Sequence, residues 1–250
     1  MKICILQTDI VWDEPQENQQ SAEQLMDTAG EADLYVLPEM WNTGFMTATA
    51  PPDHRESLEW MRLTAQKRQA AVCGSMAVGI EGKLLNRFFF VWPDGTMAHY
   101  DKRHLFSYGG EDKLYACGQE RTIVEFGGMR FLLAVCYDLR FPVWMRNTGD
   151  YDAIIIVANW PESRKRAWTT LLQARALENQ CYVISCNRTG DDPVSHYSGG
   201  SMIIDAKGRI LAADNGTEEA VVAEIHHEDL IQFRKKFPVL ADRDKFEIKN

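Results

Sequence analysis

The sequence predicts an α/β protein built as a four-layer α-β-β-α sandwich, with two mixed sheets inside and helices on both outer faces. Three observations carry that expectation. About a dozen apolar runs of strand length alternate with longer, more polar stretches of helix length. A dozen strands exceed what one twisted sheet holds before it curls or splits, so two sheets packed face to face are expected. No repeat, linker or composition break interrupts the 250 residues, and a chain of that size buries about 70–75% of its unfolded surface as one domain, here residues 1–250.

Along the chain, strands are expected at 2–6, 34–37, 71–78, 87–92, 97–101, 121–125, 130–135, 153–158, 182–186, 201–205, 210–213 and 220–224, from their apolar and β-branched content. Helices are expected at 16–29, 57–69, 141–147, 164–179 and 228–234. Asp94-Gly95, Gly127-Gly128 and Ala206-Lys207-Gly208-Arg209 punctuate neighbouring strands as turns, so hairpins mix with strand-helix-strand units. Ser163 stands where its hydroxyl would cap the fourth helix. That helix is expected to lay Ala167, Leu171, Ala174 and Leu177 against a sheet. Residues 237–250 form a C-terminal tail in which Asp242, Arg243, Asp244 and Lys245 mix with Phe246 and Ile248.

Charge and composition exclude several functions. Against 36 Asp+Glu stand 27 Lys+Arg, a formal charge of −9, and no dense basic block exists to track nucleic-acid phosphates or an anionic membrane. The opening apolar run is broken by Gln7 and Asp9, and no stretch approaches the eighteen apolar residues of a membrane span, so a cytoplasmic protein is expected. Six cysteines show neither a C-x-x-C nor a zinc-ribbon spacing, and in a reducing cytosol most should be buried thiols. Of the histidines only His226 and His227 are adjacent, and neighbours on a strand point to opposite faces, which makes a poor chelate. Neither a phosphate-binding loop nor a dinucleotide fingerprint is present. No metal or cofactor is expected.

Three side chains stand where chemistry is done. Cys136 follows an apolar strand and precedes a turn, where backbone N–H groups and a helix dipole favour thiolate over thiol. Glu39 ends the run Leu34-Tyr35-Val36-Leu37-Pro38, backed by Trp41 and Phe45, as a base working near neutrality would. Lys102 ends a third strand. Each taken alone is more often a packed thiol, a turn carboxylate or a surface ammonium. In combination they fall at one edge of the inferred sheets.

The strings around them, Leu37-Pro38-Glu39, Tyr100-Asp101-Lys102-Arg103-His104-Leu105 and Cys136-Tyr137-Asp138-Leu139-Arg140-Phe141-Pro142, resemble the nitrilase superfamily of carbon-nitrogen hydrolases. Ala158-Asn159-Trp160-Pro161, the run from Gln173 to Gln180 and Cys186-Asn187-Arg188 extend the resemblance to nearly the whole chain. It implies the same sandwich fold, a homodimer, and cofactor-free amide hydrolysis. Carried over by position, it implies Glu39 as base, Lys102 as oxyanion cation, Cys136 as nucleophile and Glu111, beside the acidic Asp112, as support for the lysine. The backbone N–H of Tyr137 would be the second oxyanion donor. Lys102 would favour the charged form of the thiol and burial the neutral one, two opposed effects.

Within the superfamily the strings look most like the omega-amidases, which hydrolyse the terminal amide of 2-oxoglutaramate or 2-oxosuccinamate. Such a substrate carries a carboxylate and calls for a guanidinium, with Arg140, Arg164, Arg166 and Arg188 as candidates. Trp160 and Phe45 are candidate pocket walls. Two alternatives stand beside this reading: an N-carbamoyl amino acid or beta-ureidopropionate hydrolase, whose members tend to carry a second cation where Leu139 stands, and an inactive scaffold with an occluded pocket. True nitrilases usually have Cys-Trp-Glu in place of Cys136-Tyr137-Asp138.

Overall fold

A computed structural model describes residues 1–45 and 54–248. Two six-stranded sheets form its interior. The first runs β14 (Glu219–Glu224), β1 (Lys2–Gln7), β2 (Leu34–Val36), β3 (Ala71–Ile80), β4 (Lys83–Val91) and β5 (Met97–Asp101). The second runs β13 (Ile210–Ala213), β12 (Met202–Ile204), β9 (Tyr182–Asn187), β8 (Ala153–Ala158), β7 (Met129–Val135) and β6 (Ile123–Phe126). Both are mixed: β1, β2 and β3 are parallel, as are β7, β8 and β9, and the flanking pairs are antiparallel.

The layering follows from alternation. Successive residues of a strand point to opposite faces, so Ile3 and Ile5, Leu34 and Val36, and Phe88 and Phe90 enter the core between the sheets. Cys4 and Leu6, Tyr35, and Phe89 and Val91 face the other way, under α1 (Pro15–Ala29) and α2 (His54–Arg68). Those helices seat Ala22 and Met26, and Met61 and Ala65, on that outer face. On the second sheet α3 (Lys165–Asn179) packs against β9 and β12, and α4 (His227–Lys236) docks beside the start of β8, where Arg234 reaches Asp152 at 2.8 Å. The four expected layers are present.

Local expectations fare less evenly. Residues 141–147 are not a helix; the chain makes a 3-10 turn at Cys136–Arg140 and then leaves it, because Pro142 pushes Phe141 off helical backbone to φ −114°, ψ 85°. Ser163 caps nothing: it lies inside a 3-10 turn at Glu162–Arg164, and Arg164 flanks α3 with no side-chain cap. The buried face of α3 is Trp168, Leu172, Arg175, Ala176 and Asn179, leaving Leu177 exposed, since the indole and the Arg175 guanidinium offer more to bury than the alanines chosen from the sequence. A ribbon of β10 (Thr189–Asp191) and β11 (His196–Ser198) escapes the sequence reading, being short and polar. Among the described residues no helix is long and apolar enough to cross a membrane.

Candidate active site

The carboxyl ends of β2, β5, β7 and β8 converge on one cavity of about 230 Å³, the end at which ligands bind in such sheets. Glu39 follows β2 in a tight turn that rides directly over β3. Gly74 makes this possible, because a Cβ there would stand 2.8 Å from Leu37 Cβ and 3.0 Å from Trp41. The turn is pinned by Leu37 N–H donating to Cys73 O (2.8 Å) and Met40 N–H to Ser75 Oγ (3.1 Å).

Lys102 follows β5 and is buried between two carboxylates. Its Nζ donates to Glu39 Oε1 at 2.9 Å and to Glu111 Oε1 and Oε2 at 3.0 and 2.9 Å. Burial alone would pull this ammonium down, but Glu111, Glu39 and Cys136 hold it well above its ordinary value, so it is charged at neutral pH. Glu111 sits in a 3-10 turn at Glu111–Lys113 and also accepts the Phe106 N–H at 2.6 Å. Its neighbour Asp112 is exposed, so Glu111 is the acid inside. Burial raises the Glu111 carboxyl, with Lys102 opposing.

Cys136 begins the 3-10 turn at φ 46°, a left-handed conformation rare for a residue with a side chain, at the strand-to-turn elbow. Its thiol is part-exposed to the cavity that Glu39 also lines, and lies 3.9 Å from Asn159 O. The opposed effects resolve in favour of the thiol: burial, then the Glu39 carboxylate, pushes Cys136 well above its ordinary value despite Lys102. A resting thiol needs a base, and Glu39 lines the same cavity. A 3-10 turn leaves its first amide hydrogens without an acceptor inside the turn, Tyr137 N–H among them.

All eight side chains singled out from the sequence, Glu39, Phe45, Lys102, Glu111, Cys136, Tyr137, Arg140 and Trp160, line this cavity. Of the four candidate arginines it takes Arg140 and Arg164, whose guanidiniums lie over the rings of Trp160 (4.9 Å) and Phe106 (5.1 Å). Arg166 is exposed outside it. Arg188 is committed elsewhere, buried against Asp9 (2.7 Å), Thr189 O (2.8 Å) and the ring of Tyr197.

Several supporting residues were not singled out. Asp138, fully buried, accepts from Tyr100 OH (2.8 Å), Val135 N–H (3.0 Å) and His104 N–H (2.9 Å), and His104 Nδ1 lies 2.8 Å away, which ties the segment of Lys102 to that of Cys136. Asn187 accepts the Trp160 N–H (2.7 Å) and donates to Trp160 O (2.9 Å). Asn86, on β4, donates to Glu39 Oε1 at 2.7 Å and Glu111 Oε1 at 3.3 Å. The ribbon adds Asp192, Val194, Ser195 and Tyr197 to the cavity rim. A signal for Asn86 existed: it shares the inward register with Leu84, Phe88 and Phe90, where an amide is out of place.

Known proteins share this architecture. The carbon-nitrogen hydrolase family matches residues 2–235. The chain is 45% identical over 250 residues to the omega-amidase YafV of Yersinia enterocolitica, covering 98% of each, and 38% identical to a 2-oxoglutaramate amidase of Bacillus subtilis, covering 96% of each. The crystal structure of XC1258 from Xanthomonas campestris, a CN-hydrolase superfamily protein with an arsenic adduct in its active site, superposes with a TM-score of 0.93 at 37% identity, over 100% of this chain and 99% of that one. With the fold and the extent of these matches in agreement, the chain belongs to the carbon-nitrogen hydrolase family of the nitrilase superfamily, in the company of its omega-amidases, and is a hydrolase of carbon–nitrogen bonds other than peptide bonds.

Proposed function

We propose that this hydrolase cleaves the terminal amide of a small 2-oxo dicarboxylate monoamide, 2-oxoglutaramate or 2-oxosuccinamate, to the 2-oxo acid and ammonia. Glu39 takes the proton from Cys136 as the sulfur attacks the amide carbon. The oxyanion forms between the Lys102 ammonium and the Tyr137 N–H, a donor pair of which each member is worth about 10²–10³ in rate. The carbon–nitrogen bond then breaks, Glu39 returns its proton to the departing ammonia, and a thioester remains on Cys136. Glu39 next takes a proton from water, whose oxygen attacks the thioester; the acid leaves and the sulfur recovers its proton. Glu111 keeps the lysine charged and aimed.

The observation that carries the reading is the company the reactive group keeps in one cavity: Glu39, Lys102 and Cys136 at the floor, and at the wall Arg140 and Arg164, which among the described residues make no ion pair. A guanidinium lying on a ring and free of carboxylates suits a substrate carboxylate. The names of the relatives support the same substrate class. An N-carbamoyl amino acid hydrolase is less well supported, because the position of the second cation is held by Leu139, which is apolar and fully buried. The open cavity over Cys136 speaks against an inactive scaffold.

The test is ammonia release from 2-oxoglutaramate, 2-oxosuccinamate and N-carbamoyl-beta-alanine, each with Arg140→Gln and Arg164→Gln beside the wild type. Turnover of the first two is expected, with KM raised about 10–100-fold in one or both variants, the loss of a charge-assisted contact. Preference for the carbamoyl compound would overturn the assignment. The same family reading carries association into a homodimer, supported by Val143, Phe246 and Ile248, apolar and exposed around one crevice; a monomeric mass by light scattering would refute it.

A further inference from the structure

We propose that Asn86 is a positioning residue of this site, one that decides which oxygen of Glu39 receives the proton from Cys136; the proposal rests on the base and nucleophile roles given above. The two oxygens of Glu39 are not equivalent. Oε1 accepts from Lys102 Nζ at 2.9 Å and from Asn86 Nδ2 at 2.7 Å. Oε2 accepts only the Asn159 backbone N–H, at 2.8 Å, among the hydrogen bonds of the described residues. A carboxylate oxygen has two lone pairs, so Oε1 is saturated and Oε2 keeps one free. The proton leaving sulfur goes to Oε2, and the electron pair it leaves behind makes the new sulfur–carbon bond.

Asn86 is fixed for this work by its strand. Its main-chain carbonyl accepts the Lys102 N–H at 3.0 Å, so the pairing of β4 with β5 sets the amide beside the ammonium. One Nδ2 hydrogen is directed to each carboxylate, Glu39 at 2.7 Å and Glu111 at 3.3 Å, and the two acids are bridged by Lys102 and Asn86 together. Packing does not explain an amide here. Its Oδ1 is buried without a partner, a cost that an apolar residue of the same register would avoid. The donor end is what the position keeps. Without it Oε1 regains a lone pair, and the carboxylate holds two competing basic oxygens.

Two variants test this in the full-length enzyme: Asn86→Leu, which removes the donor, and Asn86→Asp, which is isosteric and sets an acceptor against Oε1. The measurements are kcat and KM for the hydrolysed amide, and the rate at which iodoacetamide alkylates Cys136 at neutral pH, followed by mass spectrometry on protein shown to be folded by circular dichroism. The expected result is a kcat lower by about 10–100-fold, the scale of a misaimed reacting group, with KM within about threefold. Alkylation of Cys136 is expected to slow in parallel. A folded Asn86→Asp enzyme with kcat and alkylation rate within about twofold of wild type, or with its loss carried in KM instead, overturns the proposal. Alkylation needs no substrate, so it reads Asn86 even where the amide assigned above is the wrong one.

Discussion

Replacing Lys102 by methionine retains most of the stem and deletes the charge that two buried acids share. Glu39 is 1% exposed and Glu111 3%. With Nζ at 2.9 Å from an oxygen of each, one contact amounts to about 6 kcal/mol of Coulomb attraction at an effective dielectric of about 20, most of which desolvation of the three groups cancels. Removing one partner exposes that cancelled part as a penalty of about 3–5 kcal/mol. The site responds by holding a proton. Burial already raises Glu111 above 4.5 against the opposition of Lys102, so losing the lysine raises it further. A carboxyl whose folded value exceeds its unfolded one costs stability as pH rises from about 4.5 through the folded value. The deficit of the variant in urea unfolding is therefore expected to be larger at pH of about 8 than at about 5. On the rate side, losing one oxyanion donor lowers kcat by at least about 10²–10³ in an ammonia-release assay. A Lys102→Met enzyme that hydrolyses within about tenfold of wild type, or whose deficit does not grow with pH, would refute the reasoning.

Three further outcomes are expected. Cys136→Gly should abolish hydrolysis and yet raise stability by about 1 kcal/mol, because glycine accepts the φ of 46° at no steric cost; thermal unfolding measures it, and a clear loss of stability would count against strain at the elbow. Iodoacetamide on the native enzyme should modify Cys136 and the exposed Cys117 while sparing Cys4, Cys73, Cys181 and Cys186, all fully buried with thiols pushed up by burial; rapid labelling of any of those four contradicts the packing. Burial alone would raise Asp152, but Arg130 and Arg234 hold it below its ordinary 3.8, so its contribution is full above about 3.8 and lost as pH falls through the folded value; Asp152→Asn should flatten the acid end of the stability profile, and an unchanged acid limb would show that the pair carries no such linkage.

The architecture was legible where residues repeat a rule. Strand alternation and hairpin turns suffice for two sheets and four layers, and the strings around Glu39, Lys102 and Cys136 point to residues that do meet. What escaped depends on relations between distant segments. The helix expected at 141–147 dissolves because Pro142 acts on the residue before it, and the buried face of α3 is set by what Trp168 and Arg175 find in the segments flanking the second sheet, such as Gly200 O for the indole and Leu139 O for the guanidinium. Arg188 and Arg140 are equivalent as letters; only the fold commits one to Asp9 and leaves the other on Trp160. Asn86 and Asp138 matter for what they bridge, which no local pattern encodes.

The groups assigned to the proposed reaction come from opposite halves of the molecule. The first sheet and its loops carry the acids and the amine, the second the sulfur, and the N–H of Asn159 reaches across to Glu39. Neither half holds a working set by itself. Hydrolysis can thus begin only after the halves have docked, so during refolding the return of turnover should lag any optical signal of strand formation and report the last step of assembly. Fragments cut between β5 and β6, which part Glu39 and Lys102 from Cys136, should be inert when separate and regain turnover only on recombining.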